Sequence, residues 1–264
     1  MPSLGPALRP NQWVPQRTYA TMAAAWAALV ILLWLFGAGI FPSPARVLEA
    51  LRNLTASQGL IGELLTSLTL FAEALAVAVA ISFTLAYLSV VPALRPIVTA
   101  LTKARFLSLV GFTFVFTIWF SGGHALKLAL LVFGISAFLL TSMVDVVASV
   151  PTEKLDHART LRMGDWRVVW EVVVLGQMGP AFDAIRQNAA MGWMMLTMVE
   201  GLVRGEGGIG TMLVDQQKHF NLAAIVAVQG VFLIAGFFQD AFLGWLKSVL
   251  VPSAALVTAR GKGG

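Results

Sequence analysis

From Tyr19 to Ile40 the chain carries no charged side chain. A helix of about 20 apolar residues crosses the ~30 Å hydrocarbon core of a bilayer, so this run alone restricts what the chain can fold into. Lipid offers no hydrogen-bond partner to a backbone N–H or C=O. A spanning segment must therefore be a helix or part of a closed barrel, and long unbroken apolar runs lack the alternation a barrel strand needs. The whole sequence has the same character: 58% of its 264 residues are hydrophobic and 12% charged, against about 25% charged in soluble domains. The fold class that follows is an all-α, polytopic membrane protein.

Five more runs make about six transmembrane helices. Leu64–Val91 is interrupted in polarity only by Glu73; the uncharged stretch between Arg105 and Lys127 makes a third span; Leu128–Val150 makes the fourth. Phe182–Val203 is the least apolar, with Asp183, Arg186, Gln187, Asn188 and Glu200, and Phe220–Leu246 completes the set. The first run is too long for a signal peptide and ends in Phe41-Pro42-Ser43-Pro44 rather than a small-residue cleavage site, so it is expected to stay. Small residues at Ala74, Ala76, Ala78 and Ala80 suit close helix packing in lipid.

Threading these spans with a cytoplasmic N-terminus puts thirteen of the 18 Lys and Arg inside and leaves Arg46, Arg52, Lys127, Arg204 and Lys218 outside. Cytoplasmic loops retain Lys and Arg, so both termini are expected in the cytoplasm, with residues 1–18 and 251–264 as cytoplasmic segments around a transmembrane domain at 19–250. The same bias explains the net charge of +5 without a nucleic-acid partner. With no cysteine there is no disulfide or thiolate chemistry, and His124, His157 and His219 have no metal-ligand spacing. No metal or other cofactor is expected.

Between Pro151 and Pro180 the chain becomes charged: Glu153, Lys154, Asp156, Arg159, Arg162, Asp165, Arg167 and Glu171 gather there. Thr152 is a good N-cap, and Leu155, Ala158 and Leu161 recur at helical spacing, predicting a short amphipathic helix over 152–163. Gly164 permits a turn, Asp165 can cap a second helix, and Trp166, Val169 and Val173 continue an apolar stripe toward Pro180.

This segment, DHARTLRMGDWRVVWEVVVLGQMGP, resembles the cytoplasmic signature of binding-protein-dependent ABC importer permeases, a Glu-Ala-Ala, three residues, Gly pattern followed by Ile-x-Leu-Pro. Phe41–Leu48, Ile118-Trp119-Phe120-Ser121-Gly122, and Val199-Glu200 followed by Gly208-Ile209-Gly210 fall in the order of the nitrate, sulfonate and taurine branch, over about residues 41–248. The chain departs from the pattern with Asp156, His157 and Arg162 at signature positions and Gly176 or Gly179 where a proline is usual. The resemblance implies a type I permease core in the bacterial inner membrane that dimerises, expected with an identical copy. It also implies an ATPase partner, docked through Asp156, His157, Ala158, Arg159, Thr160, Leu161, Arg162 and Gly164, and an extracytoplasmic solute-binding protein. The solute is expected to be small, with anions among the candidates. A solvated amphipathic loop is the bland alternative for the insert.

Glu206-Gly207-Gly208-Ile209-Gly210 lacks the Gly-Lys-Ser/Thr of a phosphate-binding loop, so ATP hydrolysis belongs to a partner and the chain itself is not expected to be an enzyme. Carboxylates at lipid depth are costly and read as functional by default. Glu73 and Glu200 are the candidates for the translocation path, whereas Asp183 and Arg186 are close enough on one helix to pair with each other. Met191, Met194, Met195 and Met198 make either an adaptable lining or core packing. The same carboxylates leave a secondary transporter or channel open as the alternative. For an intramembrane enzyme Ser121 and His124 could be nominated as nucleophile and base, but they lie in a short loop with nothing to orient them.

Overall fold

The computed structural model describes residues 16–36, 41–120 and 122–251. They form α1 (Gln16–Phe36), α2 (Pro44–Ser57), α3 (Leu60–Leu88), α4 (Arg95–Leu101), α5 (Leu109–Trp119), α6 (Gly123–Ala148), α7 (Thr152–Thr160), α8 (Asp165–Val168), α9 (Met178–Leu202), α10 (Ile209–Lys218) and α11 (Leu222–Leu250). Among the described residues, five helical segments are long and apolar enough to span a bilayer, and a bent pair makes a sixth if it is counted as one span.

The bent pair is the expected third span, and it needs correction. Absence of charge between Arg105 and Lys127 predicted one continuous helix. Instead Leu107 and Ser108 are extended, and Arg95–Phe106 meets Leu109–Trp119 at 110°. The 11 residues of α5 reach only about 16 Å, half a bilayer. Its start lies beside Gly134 in the middle of α6, Phe112 stacks on Phe133 at 5.0 Å, and Phe116 packs with Leu126, Leu130 and Val199 toward the α6 N-terminus. The fourth span also begins earlier than expected, at Gly123, which takes Lys127 into the helix.

Helices α3 and α6 run parallel through the centre, and α9 runs antiparallel to both. Small residues set their separation: Ala74, Ala78, Ala86, Ser67 and Ser82 are fully buried on one face of α3. Ala76 and Ala80 lie on its exposed face, so only half of the expected alanine stripe packs. At Gly192 of α9 a Cβ would meet Ile135 Cδ1 at 2.9 Å and Phe71 at 3.1 Å, which is the close approach that small residues permit when lipid supplies no hydrophobic drive. Asn188 donates to Ser142 Oγ (2.9 Å) and to the Ala184 carbonyl (2.8 Å), tying α9 to α6.

Besides α4 and the charged insert, α2 and α10 lie outside the expected spans. In α2, Pro44 starts the helix at a position where its missing N–H is harmless, and Leu54 is buried against the beginnings of α3 and α11. The other, α10, begins at the glycine-rich turn after α9 and packs Ile209, Met212 and Leu213 into the same core.

The charged insert folds as a helical hairpin, with two local corrections. Its first helix ends at Thr160, and the reversal falls on Arg162 (φ 55°) rather than on Gly164, which is extended and caps α8. Past α8 the helix does not break at Pro180. It continues through a π-helical turn (Val169–Val174) and a short 3₁₀ turn (Leu175–Gln177) into α9. Pro180 lies in the first turn of α9, where a missing N–H breaks no internal bond. The buried face is Val168 and Val173, five residues apart as π winding places them, and Trp166 is 73% exposed instead of joining the stripe.

Candidate functional site

Three groups of polar residues stand out from this apolar bundle. The first surrounds the start of α10. Gly207 and Gly208 have φ of 71° and 106°, backbone that favours glycine. They turn the chain so that the first amides of α10 point at side chains from α3 and α9. Gly208 N–H donates to Glu63 Oε2, Ile209 N–H to Ser67 Oγ (2.8 Å), and Gly210 N–H to Glu200 Oε2 (2.7 Å). Ser67 in turn donates to Glu200 Oε1 at 2.6 Å.

These bonds satisfy amides that a helix start leaves unpaired, and a carboxylate there also meets the positive end of the helix dipole. Lys127, only 2% exposed, donates to the Gly207 carbonyl (2.7 Å), and Thr211 donates to the carbonyls of Glu200 (2.8 Å) and Gly207 (3.0 Å). Glu200 is completely buried. The fit leaves no room: a Cβ on Gly208 would lie 2.4 Å from the Glu200 carboxyl carbon, and one on Gly210 would lie 2.7 Å from the Thr197 carbonyl oxygen. Glu200 and the Gly-Ile-Gly run are therefore one physical unit, a latch that holds α10 onto α3, α6 and α9.

Glu73 is placed differently. Its side chain is 52% exposed and meets His124 Nε2 at 3.0 Å, and His124 Nδ1 lies 4.0 Å from Glu206 Oε2. The carboxylate expected to stand alone in its span thus has a cross-helix partner. Ser121 lies outside the described residues.

The third group bridges α9 and α11. Arg186 makes a two-pronged ion pair with Asp240, through Nε and Nη2, and Lys247 reaches Asp183 Oδ1 at 2.5 Å. The expected pairing of Asp183 with Arg186 is therefore replaced by two cross-helix pairs. Each acid finds a base on the neighbouring helix, which ties the two helices together as a same-helix pair would not.

In the charged insert, Ala158 is the only buried side chain of α7; Asp156, His157, Arg159, Thr160, Leu161, Arg162 and Gly164 are exposed. Arg159 pairs with Asp156 at 2.9 Å. The helix closes with the amide of Arg162 on the Arg159 carbonyl (2.9 Å) and the amide of Met163 on the Ala158 carbonyl (3.4 Å). That pair of bonds is the Schellman arrangement, in which the left-handed position usually falls to glycine. Arg162 occupies it here.

Glu63, Ser67, Lys127 and Thr211 escaped sequence reasoning. Lys127 alone carried a signal, as a base beside an apolar run, but it reads equally as a loop charge.

No protein-family model and no curated protein matches the chain. Among solved structures it is similar to an amino acid ABC transporter with histidines, at 14% identity, a TM-score of 0.60, and coverage of 76% of this chain and 96% of that one. The arrangement of helices is thus shared with that transporter, and at this distance in sequence the likeness is one of fold.

Proposed function

We propose that the chain is the permease subunit of an ATP-driven importer in the bacterial inner membrane. Residues 19–250 would form its transmembrane domain, with both termini cytoplasmic. It would pair with a second copy, dock on a cytoplasmic ATPase through α7, and receive a small solute from an extracytoplasmic binding protein. Nitrate, sulfonates and taurine are the solutes that the motif resemblance suggests.

The observation that supports this reading most directly is the unbroken helical path from α8 to α9, with α7 folded back against its start. A displacement of α7 would pass through packed contacts to a helix that ends at the Glu200 latch. The exposed charges of α7 would select the partner, and closure of an ATPase pair would then move α9. Glu73, exposed within α3, is on this geometry the stronger of the two candidates for the path. Glu200, with its oxygens taken up by Ser67 and Gly210, would support it from behind.

Co-expression with candidate ABC ATPase subunits from the same genome, followed by purification and reconstitution in proteoliposomes, tests the proposal. A stable complex that hydrolyses ATP and loses association on Arg159→Glu is expected. Uptake that follows a proton or sodium gradient without any ATPase would overturn it in favour of a secondary transporter. The ion pairs between α9 and α11 are the observation that favours that second reading.

A further inference from the structure

Arg186 and Asp240 close one end of a groove of about 400 Å³ between α9 and α11. Trp193 and Phe232 form its apolar wall, and Gln229 lies toward its other end. The ion pair lies within the helical segments rather than at their ends: Arg186 is about 12 Å along α9 from Met178, and Asp240 is about 15 Å from the C-terminal end of α11. Yet their side chains are 43% and 49% exposed. Beside them the Gln239 side-chain oxygen is buried without a hydrogen-bond partner.

Two glycines shape the groove. A Cβ on Gly244 would touch Arg186 Nη1 at 3.6 Å, and one on Gly236 would touch Trp193 Nε1 at 3.5 Å. Trp193 Nε1 donates to the Phe232 carbonyl (3.2 Å), which fixes the indole as a wall rather than a free donor. The guanidinium engages Asp240 through Nε and Nη2, and among the described residues Nη1 makes no hydrogen bond.

Charge decides what such a groove can take. Lipid cannot solvate a half-exposed ion pair, so this face meets water or a polar ligand. A lone anion or cation would satisfy one partner and leave the other uncompensated in an apolar setting, which is strongly unfavourable. A zwitterion presents an acid to Arg186 and an ammonium to Asp240 and leaves no charge unmatched. The volume is at the small end of ligand sites.

We propose that the α9–α11 groove is a hydrated binding site for a small zwitterionic solute, oriented with its acid group on Arg186, its ammonium group on Asp240, and its carbon skeleton on Trp193 and Phe232. The proposal rests on the importer reading for its place in transport, but its test is separate. The chain has no cysteine, so Ala190→Cys, on the groove lining, supplies a single thiol.

In the reconstituted complex, modification of Ala190→Cys by a water-soluble, membrane-impermeant methanethiosulfonate is expected. Taurine should slow it several-fold, and nitrate or choline should not. The neutral double variant Arg186→Gln/Asp240→Asn should keep the thiol reactive but lose the protection by taurine. A thiol inert to the aqueous reagent would show that lipid or a second copy covers the groove, and equal protection by all three solutes would show that the pair does not select. Either result overturns the proposal, and the three-solute comparison decides it even if the double variant does not fold. Protection by taurine in a preparation that binds no ATPase would keep the site and reject the importer reading. An ATP-hydrolysing complex without protection would do the reverse.

Discussion

Glu200 lies in the last turn of α9 and Gly210 in the first turn of α10, and a 2.7 Å hydrogen bond from the Gly210 amide to Glu200 Oε2 joins them. With Ser67 on the other carboxylate oxygen, the acid is spent on holding α10. Glu200→Gln keeps the shape but places an NH₂ against one of two donors, leaving a buried donor unpaired. The expected loss is about 1–3 kcal/mol of stability, read as a lower unfolding temperature in detergent. A variant that melts with the wild type would show the latch to be dispensable.

Gly208 should be less tolerant than Glu200. Alanine there must adopt φ 106° and place its Cβ 2.4 Å from the Glu200 carboxyl carbon, so a shift of the latch is unavoidable. The expected loss for Gly208→Ala is about 2–4 kcal/mol, larger than for Gly205→Ala, where no atom stands within 4 Å of the added methyl. Comparing the two melting curves checks the assignment, and equal curves would refute it.

The contrast between what periodicity shows and what it hides is clear in these residues. Apolar runs and the charged insert announce a six-span helical chain because span length and hydropathy are one-dimensional. Val199-Glu200 and Gly208-Ile209-Gly210 are legible as two motifs in order, but the bond from the Gly210 amide to Glu200 is not. Nothing local announces that Lys127 turns back to the Gly207 carbonyl, or that Asp183 and Arg186 look past each other to Lys247 and Asp240. Those partners are set by helix rotation and depth, which only the packed bundle fixes. The bend at Leu107-Ser108 is hidden for a similar reason: neither residue breaks a helix by its own propensity.

Arg162 holds a left-handed turn (φ 55°) at the end of α7 with its side chain exposed. A non-glycine residue in that conformation costs about 1–2 kcal/mol. Arg162→Gly should therefore stabilise the isolated chain by about 0.5–1 kcal/mol, after the glycine's greater unfolded-state entropy is allowed for. If the arginine is kept for its contact with the ATPase, the same variant should bind that partner more weakly. A gain in stability with unchanged association would assign Arg162 no part in docking.

The cross-helix pairs predict non-additive behaviour. Asp240→Asn or Arg186→Gln alone leaves one ion without its partner beside an apolar groove wall, whereas the double substitution removes both. Each single variant should lower membrane expression and thermal stability more than the double variant does. Additive losses would mean that the two side chains do not depend on each other.

Glu73 gives the last test, because it alone of the two path candidates faces outward. Its tie to His124 at 3.0 Å links α3 to the first turn of α6, and Glu206 stands on the other side of the same ring. If the carboxylate serves only to hold His124, Glu73→Gln preserves a hydrogen-bond acceptor at the same reach, and uptake should follow expression level. If it faces the moving solute, loss of its charge changes the field along the path while the fold stays intact. On the importer reading we expect the second outcome: a several-fold fall in ATP-driven uptake by Glu73→Gln at wild-type expression and melting temperature. Unchanged uptake under those conditions would remove Glu73 from the path and leave it as a tether between α3 and α6.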